Sequence, residues 1–230
     1  MAGVRVAALY DVHGNLPALE AVLGDERLVE ADLVVSGGDV AAGPFPRECV
    51  ERLAALDDRV VFVRGNADRE LGGWPAERLG DDVLQALREW PTSVEIEVEG
   101  LGDVVFCHGS PRSDDEILTA ITPDDVVRDA CGAAPLVVGG HTHVQLDRIV
   151  GDTRLVNAGS VGCPYEGRRG AFWALLGPGV RLLSTAYDAE RAAEAIRATG
   201  YDNADELTGW LLTSPAPEEA TAFFESRRGA

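Results

Sequence analysis

Short apolar runs recur along the chain, and each ends in polar residues set beside glycine. Residues 4–10, 33–36, 60–63, 104–107 and 136–138 are apolar, or nearly so, over the length of a strand. Such runs predict strands buried on both faces. Between the first three lie residues 16–23 and 46–56, with apolar positions at helical spacing; Val50, Leu53, Ala54 and Leu56 share one side of the second. Strand and helix alternating in this way predict a mainly parallel sheet covered on both faces. Residues 71–90 keep a helical pattern but are broken by Gly72-Gly73 and Pro75, which marks a connecting region.

Further on the pattern changes. Val94, Ile96 and Val98 alternate with Glu95, Glu97 and Glu99, as in a half-exposed strand of a second sheet. Residues 123–130 predict a helix with Pro123 at its start and acids in its first turn. Segments 144–150, 154–157, 171–176 and 180–187 have an antiparallel character, with turns at Gly151-Asp152 and Gly177-Pro178-Gly179. From Asp188 onward three short helices are expected, at about 189–199, 203–212 and 217–227. Their stripe of Ala192, Ala195, Ile196, Leu207, Trp210 and Leu211 is expected to pack on the sheets. The expected organisation is one domain over residues 1–187 with a helical extension, 188–230, packed on it.

Composition narrows the class. At 230 residues the chain can bury one substantial core, and it shows no internal repeat. No apolar run reaches the roughly 18–20 residues of a membrane span. The first residues lack the basic segment and cleavage site of a secretory leader, so a soluble, cytoplasmic protein is expected. Formal charge is −19, from 39 acidic against 20 basic residues, and every basic residue apart from histidine is arginine. That balance excludes routine nucleic-acid binding and anionic membranes, both of which need a basic surface. Cys49, Cys107, Cys131 and Cys163 are far apart in sequence and form no zinc-ribbon or disulfide pattern.

The strand ends carry the chemistry. Asp11 and His13, Asp39, Asn66, His108, and His141 and His143 follow successive apolar runs, and this set uses all 4 histidines of the chain. Positions i and i+2 of extended backbone point the same way, so Asp11 and His13 can converge beyond the end of their strand. In open α/β sheets that edge is where ligands bind. A set of imidazoles, carboxylates and an amide suits manganese, iron, zinc or cobalt, and excludes a thiolate site. Seven protein ligands are too many for one ion with an open position. Two ions about 3.5–4 Å apart, bridged by a carboxylate, use them sensibly.

Asp11-Val12-His13, Gly38-Asp39, Gly65-Asn66, Cys107-His108-Gly109 and Gly140-His141-Thr142-His143, in this order, resemble the motifs of the calcineurin-like metallophosphoesterases from residue 4 to about 176. The stretch Asn157-Ala158-Gly159-Ser160-Val161-Gly162 is similar to a loop of the small bacterial and archaeal phosphodiesterase-like branch. The resemblance implies a four-layer α/β/β/α sandwich: two mixed β-sheets flanked by helices. It assigns Asp11, His13 and His143 to one metal and Asn66, His108 and His141 to the other, with Asp39 bridging. Asp11, Asp39, Asn66 and His141 then form the reaction centre. Asn15, Arg64 and Arg112, with Asn66, are candidates for contact with the substrate. Two divalent ions are implied, manganese first, with iron, zinc, nickel, cobalt or magnesium as alternatives. The implied reaction is hydrolysis of a phosphodiester or pyrophosphate bond in a small nucleotide-like substrate, by attack of a metal-bridging hydroxide.

One departure matters. Relatives commonly place histidine directly after the Gly-Asn pair, where it is thought to protonate the leaving oxygen; here that position is Ala67. Substrates with an activated leaving group, or with their own acid, are therefore expected. Two readings stand beside the enzyme: a metal- and nucleotide-binding sensor with slow turnover, and a protein-interaction scaffold on the same fold, as in the retromer subunit that resembles this family. Both a monomer and a homodimer are compatible with the sequence.

Overall fold

The computed structural model describes residues 3–229. One five-stranded sheet has the order β10-β9-β1-β2-β3, built from β1 (Val6–Leu9), β2 (Leu33–Ser36), β3 (Val60–Phe62), β9 (Ala171–Leu176) and β10 (Val180–Thr185). The other has the order β4-β5-β6-β8-β7, from β4 (Ser93–Val98), β5 (Gly102–Cys107), β6 (Leu136–Gly139), β7 (Leu146–Val150) and β8 (Thr153–Asn157). Both sheets are mixed. In the first, β1 pairs in parallel with β2 and antiparallel with β9. In the second, β6 pairs in parallel with β5 and β8, and the hairpins β4–β5 and β7–β8 are antiparallel.

Period-two alternation divides the strand residues between two buried faces. Val6, Ala8 and Tyr10 point between the sheets, where they meet Val35, Phe106, Val138, Val156 and Ala174. Ala7 and Leu9 point outward, onto Leu19 and Val22 of α1 (Leu16–Leu23) and Leu53 of α2 (Pro46–Ala54). The outer face of the second sheet is covered by Val127, Ala130 and Cys131 of α6 (Asp124–Cys131). These are the four layers of the α/β/β/α sandwich, and burial on both faces explains why the strands read as continuous apolar runs. All 4 cysteines are free and buried.

Several boundaries and partnerships differ from the sequence pattern. Residues 71–90 resolve into α4 (Gly73–Leu79) and α5 (Asp81–Glu89), after a single turn, α3 (Asn66–Arg69). The two late hairpins separate: β7–β8 joins the second sheet and β9–β10 the first. The largest difference concerns α7 (Ala189–Ala198), α8 (Ala204–Leu212) and α9 (Pro217–Glu225). They do not cover a sheet, because α1, α2 and α6 already do. Ile196, Ala204, Leu207 and Leu211 pack instead on Cys163, Phe45 and Tyr165, in the loops beyond the strand ends. Trp210, expected to pack on the sheets, stays 36% exposed at this end. No helix among the described residues is long and apolar enough to cross a membrane. Residues 1, 2 and 230 of the expected domain bounds lie outside the described residues.

Candidate metal centre

Five of the seven polar residues at the strand ends, Asp11, His13, Asp39, His108 and His143, converge on one cluster. Asp11 Oδ1 lies 3.1 Å from His143 Nε2, 3.6 Å from His13 Nε2 and 3.7 Å from His108 Nε2. Asp39 Oδ2 lies 3.3 Å from His108 Nε2 and 3.8 Å from His13 Nε2. Two ion-sized groups result, Asp11–His13–His143 and Asp11–Asp39–His108. Asp11 belongs to both groups, and Asp39 also reaches a histidine of each, so two carboxylates stand between them.

The backbone is unusual at these positions. Asp11, His13, Asp39, His141 and His143 all have φ between +46° and +65°; Asp57 is the only other non-glycine residue with positive φ among those described. This conformation costs roughly 1–3 kcal/mol for a residue with a side chain and persists only where its surroundings enforce it. Glycine makes the close approach possible. A Cβ on Gly65 would stand 2.0 Å from Asp39 Oδ1, and one on Gly140 would stand 2.4 Å from Asp11 Oδ2. The glycines of the motifs are therefore the contact surface of the two carboxylates.

Hydrogen bonds orient the side chains of Asp11, Asp39, His108 and His143. Asp11 Oδ2 accepts the His141 N–H at 2.9 Å and Asp39 Oδ1 accepts the Ala67 N–H at 2.8 Å, which leaves the opposite oxygens for the cluster. His108 Nδ1–H donates to Gly37 O at 2.9 Å and His143 Nδ1–H to Cys163 O at 2.6 Å. Donation from Nδ1 turns the Nε2 lone pairs into the cluster, the arrangement that orients metal-binding histidine. Asp11 Oδ1, His108 Nε2 and Asn66 Oδ1 are buried without any hydrogen-bond partner. Such atoms are costly unless something else satisfies them, and a divalent cation fits this donor set.

Protonation agrees with that fit. Burial raises the Asp11 carboxyl, but the His143 and His108 imidazoles outweigh it and hold Asp11 well below the carboxylate range. Burial likewise opposes ionisation of Asp39, yet His108 brings it down to about 2. Burial lowers His108, but Asp39 and Asp11 push it up to about 10. Without a cation the carboxylates thus hold a proton on the imidazole. His141 stands beside the cluster, its ring 5.3 Å from that of His108 and outside both ion-sized groups. Burial and the neighbouring His108 charge lower it to about 4, so it is neutral at physiological pH.

The three other candidates face elsewhere. Asn15 is fully buried, caps α1 by accepting the Ala18 N–H, and donates to Gly162 O at 2.8 Å. Arg64 donates to Arg88 O at 2.8 Å and lies 3.7 Å from buried Asp114. Arg112 is a surface residue bound to Glu116 and Asp129. The structure brings none of these three side chains into the cluster.

Sequence reasoning missed two contributors. Asp68 is buried, and its carboxylate accepts N–H groups from Asp39 at 2.7 Å, Val40 at 2.9 Å, Ala41 at 3.3 Å and Gly65 at 3.2 Å. It ties the Gly-Asp loop to the Gly-Asn loop. Burial and the Asp39 charge raise its carboxyl to about 6. The second is an aromatic roof: Tyr165 stacks on His143 with centroids 4.8 Å apart, and Phe224 of α9 lies 5.9 Å from His141. The aromatic residues of an otherwise acidic C-terminal stretch were the available signal.

A two-carboxylate, multi-histidine cluster that could hold divalent metal thus lies at the strand ends of an α/β/β/α sandwich. Residues 4–176 match the Calcineurin-like phosphoesterase superfamily domain, and the chain belongs to that family. It is similar to the phosphodiesterase YfcE of Escherichia coli, with 30% identity over 179 residues, covering 72% of this chain and 83% of that protein. Among solved structures it resembles a metallophosphoesterase from Sphaerobacter thermophilus, with TM-score 0.74 and 27% identity over 92% of this chain and 99% of the other. The fold is shared with the hypothetical protein PH1004 from Pyrococcus horikoshii, with TM-score 0.78 and 22% identity over 93% of this chain and 99% of the other.

Proposed function

We propose that the chain is a metal-dependent phosphodiesterase. It would hold two divalent ions, manganese first, and hydrolyse a phosphodiester or pyrophosphate bond in a small nucleotide-like substrate. Asp11, His13 and His143 would hold one ion, and Asn66, His108 and His141 the other, with Asp39 between them. Residues 188–230 would serve as a helical extension of the domain formed by residues 1–187. The observation that carries this reading is the set of buried, unpartnered atoms Asp11 Oδ1, His108 Nε2 and Asn66 Oδ1 at one end of the sandwich.

Bound divalent ions supply Lewis-acid polarisation of a phosphoryl group and an activated water. The chain's own part is electrostatic and positional. Asp11 and Asp39 remain ionised under burial, which gives the site the negative charge that retains cations. Carbonyl acceptors fix the tautomers of His108 and His143 and hold their Nε2 atoms in place. Ala67 has no proton to give, so when the P–O bond breaks the departing oxygen takes its proton from solvent. Leaving groups of low basicity are then favoured.

The test is hydrolysis of bis-p-nitrophenyl phosphate and p-nitrophenyl phosphate by metal-stripped protein, with and without added manganese. Manganese-dependent activity that favours the diester is expected, with Asp39→Asn losing more than the roughly 10–100-fold typical of an outer partner. Two ions bound without turnover would instead identify a sensor. No metal binding at all would identify a scaffold.

A further inference from the structure

The cluster opens onto two joined clefts whose walls select what the phosphoryl group may carry. The larger, about 410 Å³, runs from Asn66 and Ala67 to Trp74 and is faced by Tyr201 and Asp202. The smaller, about 210 Å³, begins at His13 and His143 and is walled by Tyr165, Glu206 and Trp210. Ala42, Tyr201 and Asn203 line both, so the clefts meet at the turn between α7 and α8. Ala67 forms part of the floor beside Asn66, and a larger side chain there would take up the space in which a substituent must lie.

The charge of these walls has one sign. No arginine lines either cleft, in a chain whose 20 basic residues are all arginine. The carboxylates that line them are Glu70, Asp202 and Glu206. Neighbouring arginines are engaged. Arg69 is bound by Asp114, by Glu70 at 2.8 Å and by Asp115 at 3.4 Å. Arg78 lies 3.9 Å over the Trp74 ring and donates to Thr199 O. One phosphoryl group at the cluster can be neutralised by cations, but a second phosphate in the clefts would find no cationic side chain among the lining residues and would face the Glu70, Asp202 and Glu206 carboxylates and the aromatic faces. Those faces are paired edge to face, Trp74 with Tyr201 at 5.4 Å and Tyr165 with Trp210 at 6.0 Å, and suit a flat ring.

We infer that the substrate carries a single phosphoryl group, and that the Trp74–Tyr201 cleft seats a ring-bearing substituent without negative charge, a nucleoside or an aryl alcohol. Diesters of such groups are accepted and pyrophosphates and polyphosphates are rejected, which narrows the phosphodiester-or-pyrophosphate reading above to the diester. This deepens the phosphodiesterase reading and rests on it for the chemistry, but the order of binding it demands does not depend on turnover.

The test is calorimetric binding of AMP, ADP and inorganic phosphate to the full chain at a fixed excess of free manganese. AMP should bind at least about tenfold more tightly than ADP, because the second phosphate of ADP meets Glu70 and Asp202. The double variant Glu70→Arg, Asp202→Arg, at two exposed positions, should close or reverse that gap. Trp74→Ala should reduce the preference for AMP over inorganic phosphate by roughly tenfold, the scale of one base–aromatic contact. ADP binding as tightly as AMP, AMP binding no better than inorganic phosphate, or no binding of either nucleotide would overturn the inference. If the order holds while bis-p-nitrophenyl phosphate is not hydrolysed, the substituent selectivity stands and the phosphodiesterase reading falls.

Discussion

The cluster at the strand ends and the helical roof above it are built by opposite means. Every cluster residue sits one to four positions after the end of a strand. Its geometry is enforced by left-handed backbone, glycine contacts at atomic distance and a carboxylate, Asp68, that accepts four N–H groups. The roof has none of this. Helices α7 and α8 meet the rest through the apolar side chains of Ile196, Ala204, Leu207 and Leu211, and α9 is held by Phe224 and by Glu225, which accepts from Thr119 at 2.6 Å and from Thr122. A rigid cluster fixes what chemistry is possible. The contrast predicts that the roof can be altered without disturbing the cluster.

Substitutions can sharpen or break this contrast. The largest effect is expected for Gly65→Ala, whose Cβ would enter the space of Asp39 Oδ1. Overpacking of this kind costs about 1–3 kcal/mol, and the displaced carboxylate should reduce manganese affinity by more than about 100-fold. Thermal melting and metal titration measure the two losses separately. Asp68→Asn comes next. It removes the charge that holds the Asp39 loop while keeping the shape, and should weaken manganese binding by roughly 10–100-fold with a smaller loss of stability. The smallest effect is expected for Phe224→Ala in the roof, with metal affinity changed by less than about threefold and KM for an aryl diester raised several-fold. If Phe224→Ala weakened metal binding as much as Asp68→Asn, roof and cluster would be one mechanical unit and the contrast would fail.

Much of this is legible in the sequence. Asp11, His13, Asp39, His108 and His143 were identified by their places after apolar runs, and they do converge. That succeeded because strand periodicity and the terminal glycine are local signals that also determine where a side chain points. Asn15, a candidate for contact with the substrate, caps α1 instead, and its side chain is spent internally on Ala18 and Gly162. Arg64 and Arg112 are also candidates for contact with the substrate, but the charge of an arginine does not say which acid it will meet. Asp114, Glu116 and Asp129 claim them.

The sequence by itself determined the ligand types, their order and the alternation that makes two buried sheets, because each of these depends on neighbours within a few residues. Only the tertiary structure decided the rest. It separated the hairpins β7–β8 and β9–β10 between two sheets, and it selected the tautomers of His108 and His143 through carbonyls 71 and 20 residues away. It also sent the C-terminal helices to the mouth of the cluster. An amphipathic helix specifies that it must bury one face, but not against what. Here the outer sheet faces were already covered by α1, α2 and α6, so the apolar surface left for it was the rim of the site.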